Sequence, residues 1–241
     1  VMAFVKENEI DVIVNCAAYT AVDKAEDNQE LCAKLNSEAV GYLAKAAEEN
    51  QAEFIQISTD YVFDGTNYVP YRETEPTCPN SVYGVTKLAG EKKALEYCSK
   101  AMIIRTAWLY SVFGNNFVKT MIRLGKERES LGVIFDQIGT PTYARDLASA
   151  VFAAIRKGII PGIYHFSNEG VCSWYDFTKS IHRIAGIGNC KVSPLHADEY
   201  PAKAPRPHYS VLDKTKIKHT YGIEIPHWEE SLEQCIKELN V

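Results

Sequence analysis

Phe54-Ile55-Gln56-Ile57-Ser58-Thr59-Asp60 is an apolar run that ends abruptly on two hydroxyls and a carboxylate. It is rich in branched residues and does not strictly alternate, the signature of a strand covered on both faces of a parallel sheet. Its polar end then lies at the carboxyl edge, where open α/β sheets bind ligands. Outward from it, Asp11-Val12-Ile13-Val14-Asn15-Cys16, Met102-Ile103-Ile104-Arg105 and Val133-Ile134-Phe135 repeat the pattern and are predicted to join the same sheet. Helical stretches fall between them. One covers about 28–50, with Leu31, Leu35, Ala39, Leu43 and Ala47 at four-residue steps; the others cover about 82–99 and about 115–127, the last carrying Phe117, Met121 and Leu124. Strand and helix alternate, so the expected fold is α/β with a doubly wound parallel sheet.

After about residue 140 the pattern loosens. A helix near 145–157, a strand Ile163-Tyr164-His165-Phe166, a helix from Ser173 or Trp174 to Ile184 and a helix near 227–239 are predicted. Pro194, Pro201, Pro205, Pro207 and Pro226 break the region between the last two helices. The expected organisation is a main domain over 1–140 and, over 141–241, mainly a smaller substrate-binding lid, some of whose segments return to the main sheet. The chain opens on an amphipathic helix pattern (Val1, Phe4, Val5), with no strand and glycine-rich phosphate turn before it. Its one tight glycine pair, Gly186-Ile187-Gly188, follows a helix and reads as a helix C-terminal turn. The expectation is therefore a sequence shortened at its N-terminus by at least one βαβ unit, which leaves the strand at 11–16 with an unpaired edge.

At 241 residues and 46% hydrophobic, the chain is large enough to bury a real core. A net charge of -5 with no basic stripe argues against nucleic acid as a partner. Seven scattered cysteines, with no CxxC, indicate reduced and mostly buried thiols, neither a disulfide framework nor a zinc site. No apolar run approaches the ~18 residues of a membrane span and no signal peptide is visible, which places the chain in the cytoplasm.

Tyr83-Gly84-Val85-Thr86-Lys87 carries the chemistry. A tyrosine and a lysine four apart share one helix face, so the ammonium is expected to favour the phenolate and bring Tyr83 towards neutrality. Lowering a phenol from ~10 to about 7 takes roughly 4 kcal/mol. Thr59, at the strand end, is the candidate hydroxyl partner.

Four segments carry a family resemblance. Asn15-Cys16-Ala17-Ala18-Tyr19-Thr20-Ala21-Val22-Asp23, Ser58-Thr59-Asp60-Tyr61-Val62-Phe63-Asp64-Gly65, Tyr83 to Glu91 and Arg105-Thr106-Ala107-Trp108 resemble the dTDP-4-dehydrorhamnose reductases, of the extended short-chain dehydrogenase/reductase superfamily. Asp136-Gln137-Ile138-Gly139-Thr140-Pro141-Thr142 and Arg206-Pro207-His208-Tyr209-Ser210-Val211-Leu212-Asp213 narrow the resemblance to that branch. It implies a Rossmann-like fold, NADPH or NADH as hydride donor and a nucleotide-linked 4-keto-6-deoxy sugar as acceptor. It also implies roles for residues. Tyr83 would protonate the sugar oxygen, Lys87 hold the nicotinamide ribose, and Thr59 hydrogen-bond the same oxygen. Ala17, Ala18 and Thr20 would line the cofactor and Asn36 support the lysine through water. Asp60 and Trp108 would contact the sugar, and Arg206 would pair with the diphosphate. A homodimer is among the assemblies the resemblance allows, and no metal site is expected. The alternatives are a nucleotide-sugar epimerase or dehydratase of the same superfamily, and a non-catalytic reductase-like regulatory subunit.

Overall fold

The computed structural model describes residues 1–240. The longer strands, in chain order, are β1 (Val12–Asn15), β2 (Glu53–Thr59), β3 (Ala101–Thr106), β4 (Ser130–Ile134), β5 (Gly162–His165) and β6 (Lys191–Leu195). β1, β2, β3 and β5 form one sheet in that spatial order, with every pairing parallel. β1 is an edge strand of this sheet. Successive side chains of a strand point to opposite faces, and both faces are covered. Ile55 and Ile104 pack with Leu147, Val151, Tyr164 and Ile217 on one side, while Phe54 and Ile103 pack with Val40, Ala44 and Ala94 on the other. That two-sided burial is why the central strands read as continuous apolar runs, and it makes the fold the expected doubly wound, Rossmann-like α/β sheet.

Val133-Ile134-Phe135 does not join it. β4 pairs parallel with β6 in a separate two-stranded sheet. Its exposure alternates, with Leu131 and Val133 buried and Ser130 and Gly132 outward, as in a strand covered on one face only. The fourth place in the main sheet is taken by the strand predicted near 163–166. Around β4 and β6, helices α6 (Phe117–Glu127), α8 (Trp174–Ile184) and α10 (Trp228–Leu239) enclose a second core of Val118, Phe177, Ile181 and Leu232. Helices α7 (Ala144–Lys157) and α9 (Thr215–Tyr221) return to the main sheet, and the short helices α1 (Met2–Glu7) and α2 (Val22–Ala25) precede and follow β1. Gly186 takes φ 68 just after α8, the helix-terminating conformation expected for the glycine pair.

The stretch predicted as one helix over 28–50 is α3 (Gln29–Ala33), a π-helical segment (Lys34–Glu38) and α4 (Ala39–Glu49). Its buried stripe departs from the predicted ladder in the first half, where Leu31 and Leu35 are exposed, and keeps it in the second, where Ala47 is buried and Leu43 packs on the core. The residues turned inward are Cys32, Asn36, Val40 and Ala44. Small and polar residues there let α5 (Val82–Tyr97) approach closely. A Cβ at Gly90 of α5 would lie 2.1 Å from the Asn36 carbonyl oxygen.

All seven cysteines are free, and all but Cys16 and Cys78 are buried. Among the described residues no cluster of metal-ligating side chains is present, and no helix is long and apolar enough to cross a membrane.

Candidate active site

At the carboxyl end of β2 the strand runs straight into Asp60–Val62, a single 3-10 turn capped by the Thr59 hydroxyl, which accepts the Tyr61 N–H at 3.2 Å. Ser81 caps the start of α5 by accepting the Gly84 N–H at 3.2 Å. Gly84 has no side chain because the Tyr61 carbonyl oxygen would lie 2.2 Å from a Cβ there. The first turn of α5 is thereby seated against the end of β2, and Tyr83 and Lys87 project into the same cavity as Thr59.

That cavity holds about 420 Å³ and is walled by the ends of β1, β2 and β3 together with α5. Of the residues singled out from sequence, it gathers Tyr83, Lys87, Thr59, Asp60, Ala18, Thr20 and Trp108. Ala17 is exposed beside the cavity, its N–H bonded to the Asn15 side chain. Asn36 lies behind the wall. It is 1% exposed and bridges the Tyr19 backbone, Cys32 and Thr86, with no hydrogen bond to Lys87. Arg206 lines a neighbouring cavity of about 300 Å³ that shares Trp174 with the first. Its Nη2 donates to Asp23 Oδ2 at 2.7 Å, and its buried Nη1 has no partner.

The electrostatics differ from the expectation in one respect. Burial pushes the Tyr83 phenol up to about 12; the facing Thr59 hydroxyl opposes this and Asp60 reinforces it. The Lys87 ammonium is instead anchored on the Ile57 carbonyl at 2.7 Å. Burial lowers Lys87 to about 8, against the opposing pull of Glu91. Without a ligand, then, the phenol is fully protonated at neutral pH, and the lysine is the group that titrates near it. Asp60, buried with Oδ2 unpartnered, is raised to about 6 by desolvation, partly offset by the hydrogen bond that Thr59 Oγ1 donates at 2.9 Å.

Several contributors were not singled out from sequence. Trp174 stacks face to face on Trp108, centroids 3.5 Å apart. Trp108 itself adopts φ 48, an uncommon conformation for a large side chain, as found at functional sites. Tyr61 packs edge-on against Tyr83 at 5.3 Å. Beneath the lysine, Asn15 donates to Gln56 and Gln56 donates to the Ile57 carbonyl, each at 2.7 Å. Polar residues inside apolar strands were the one available sign of that network. The partner of Trp108 had no local sign, because it comes from a helix about 65 residues further on.

The sheet and a tyrosine–lysine pair at its carboxyl edge define an oxidoreductase of the extended short-chain dehydrogenase/reductase class, which uses a nicotinamide cofactor. The family model described as RmlD substrate binding domain matches residues 1–241. A dTDP-4-dehydrorhamnose reductase of Escherichia coli K12 is 44% identical over 238 residues, spanning 95% of this chain and 80% of that protein. The chain belongs to the dTDP-4-dehydrorhamnose reductase family. The solved reductase of Clostridium acetobutylicum matches with TM-score 0.96 and 45% identity, covering 100% of this chain and 85% of that one. The Bacillus anthracis reductase, solved in complex with NADP, matches with TM-score 0.95 and 41% identity, covering 98% and 84%.

Proposed function

We propose that this protein reduces the 4-keto group of dTDP-4-dehydro-L-rhamnose to give dTDP-L-rhamnose, with Tyr83 as the proton donor. The observation that carries this reading is the convergence of Tyr83, Lys87 and Thr59 on one cavity at the end of β2. A ketone accepting hydride develops negative charge on its oxygen, and a positioned acid there is worth about two to four powers of ten in rate. Tyr83, neutral and buried, is such an acid. On giving up its proton it becomes a phenolate one helical turn from Lys87, whose ammonium compensates the new charge. Thr59 re-aims its hydroxyl from Asp60 to the same oxygen.

The residues present fit the nicotinamide-ribose end of NADPH or NADH. Cys16, Ala18 and Thr20 keep that wall of the cavity small. Lys87 has three ammonium hydrogens, of which Ile57 takes one, leaving two for a ribose and the phenol. When bound, the cofactor supplies hydride to the carbonyl carbon. Ala17 borders the same wall, and Asn36 shapes it from behind through Tyr19 and Thr86.

On the sugar side, Asp60 Oδ2 accepts a sugar hydroxyl and the Trp108–Trp174 stack forms an apolar wall. Arg206, one cavity away, offers its unpartnered Nη1 to the diphosphate, a geometry guanidinium suits. Residues 1–140 in this reading carry the cofactor side and the proton donor, and 141–241 mainly close over the nucleotide sugar, apart from β5 and its flanking helices.

The test is incubation with NADPH and dTDP-4-dehydro-L-rhamnose. Loss of the reduced-nicotinamide absorbance in step with substrate supports reduction. Substrate conversion without net oxidation would make the protein an epimerase or dehydratase, and no turnover alongside a stoichiometric protein partner would make it a regulatory subunit.

A further inference from the structure

Below the site, α5 grips β2 twice. Lys87 donates to the carbonyl of Ile57, and one turn later Glu91 accepts the hydroxyl of the next residue, Ser58, at 2.5 Å. Thr59 follows directly. Glu91 is 1% exposed and also receives Arg105 of β3, Nη2 at 2.7 Å and Nε at 3.0 Å. Arg105 Nη1 is buried without a partner. Two buried charges are costly unless each is paired, and placing the negative one four residues after a catalytic-pair lysine puts its field on that lysine.

We propose that Glu91 is a positioning residue: shared between Arg105 and Ser58, its carboxylate keeps the Lys87 side chain an ammonium and fixes the strand residues that anchor Lys87 and present Thr59. The proposal deepens the reading of Tyr83 and Lys87 given above and rests on it for its catalytic meaning. The other groups facing Lys87 are Tyr83 on α5, Cys16 after β1, Cys32 on α3 and Asp60 after β2. Glu91 is foremost among those that favour the charged form, and Asp60, itself titrating near 6, serves the far side of the cavity.

The experiment follows the 13Cε resonance of Lys87, assigned by its loss in Lys87→Met, through a pH titration of the protein labelled with [13Cε]lysine. The native midpoint is expected near 8. Glu91→Gln keeps the shape and the acceptor for Ser58 but removes the charge, and its midpoint should fall by about one unit. In the double variant Glu91→Gln with Arg105→Met, both buried charges are gone, and the midpoint should lie between those of the native protein and the single variant, because losing the arginine cation restores part of the shift; this variant decides the matter if the single one does not fold. A midpoint unmoved in the folded variant overturns the proposal, because the lysine would then hold its proton without the Glu91 charge. In the reductase assay, the alkaline limb of kcat/KM should move down with the midpoint. The resonance needs no turnover, so an inactive native protein would sink the proposed reaction and leave the titration to judge Glu91.

Discussion

Tyr83 and Asp60 show what burial does to single groups at this site. Tyr83→Phe removes the acid and little else, so turnover should fall at least about a hundredfold with KM nearly unchanged; steady-state kinetics checks it, and a mutant with native turnover would remove Tyr83 as donor. Asp60 has the opposite character, a carboxyl held above its ordinary range. The folded chain binds its proton more tightly than the unfolded chain, so between pH 3.8 and about 6 folding loses stability as pH rises. Above about 6 the full cost remains, on the order of 2–3 kcal/mol. Asp60→Asn should therefore raise the melting temperature at pH 8, leave it unchanged below pH 4, and weaken substrate binding, as expected where a site keeps a strained group for function. A melting curve with the same gap at both pH values would show that the charge is not the cause. The identities of these residues were legible in the sequence, but their protonation was not. Burial, which holds the phenol protonated in the ligand-free site, and the Ile57 carbonyl that anchors the ammonium leave no trace in a tyrosine-to-lysine spacing.

Between α5 and the segment spanning α3 and α4, packing depends on what is missing from side chains. Asn36 sits in a π-helical turn, and its carbonyl oxygen presses on the backbone of Gly90. Such turns occur frequently at functional sites, and this one lets Asn36 bridge Tyr19 to Thr86 behind the cavity. Gly90→Ala must push the two helices apart, at a cost of about 2–3 kcal/mol at the upper part of the overpacking range. Gly188→Ala is the control, since a methyl there meets nothing within 4 Å. Urea unfolding midpoints should separate the two clearly, and equal midpoints would mean the helices relax freely. The helices themselves were readable from four-residue periodicity. The face they bury was not, because leucine spacing pointed to Leu31 and Leu35 while contact with a glycine helix selects Cys32, Asn36, Val40 and Ala44. Hydrophobicity ranks side chains by size, and close helix contacts favour the small ones.

Across the whole molecule, sequence patterns located the parallel sheet, because strands buried on both faces cannot disguise their composition; they misplaced β4, whose one covered face makes it belong to the second core. What joins the two regions was also invisible locally, because it is made by polar pairs nearly 180 residues apart. The segment after β6 is held within its own region at Ala197, whose N–H donates to Asp136 at 3.0 Å, and across to the main sheet at Asp23 in the turn of helix after β1. Asp23 accepts the N–H groups of Lys203 and Ala204 at 3.2 and 3.0 Å and the Arg206 guanidinium at 2.7 Å, while Lys203 pairs with Asp27. Asp23 is thus the point where this strap meets the segment after β1, and it holds the arginine proposed for the diphosphate. Three hydrogen bonds of this partly exposed kind sum to about 1–2 kcal/mol of local closing free energy, a factor of roughly ten in the open population. Asp23→Ala should accordingly speed trypsin cleavage after Lys203 about tenfold while the global urea midpoint moves little, because neither core is touched. Native and mutant chains cut at the same rate would show that the strap is held from elsewhere, whereas a mutant that unfolds globally would make Asp23 part of the frame rather than a latch on it.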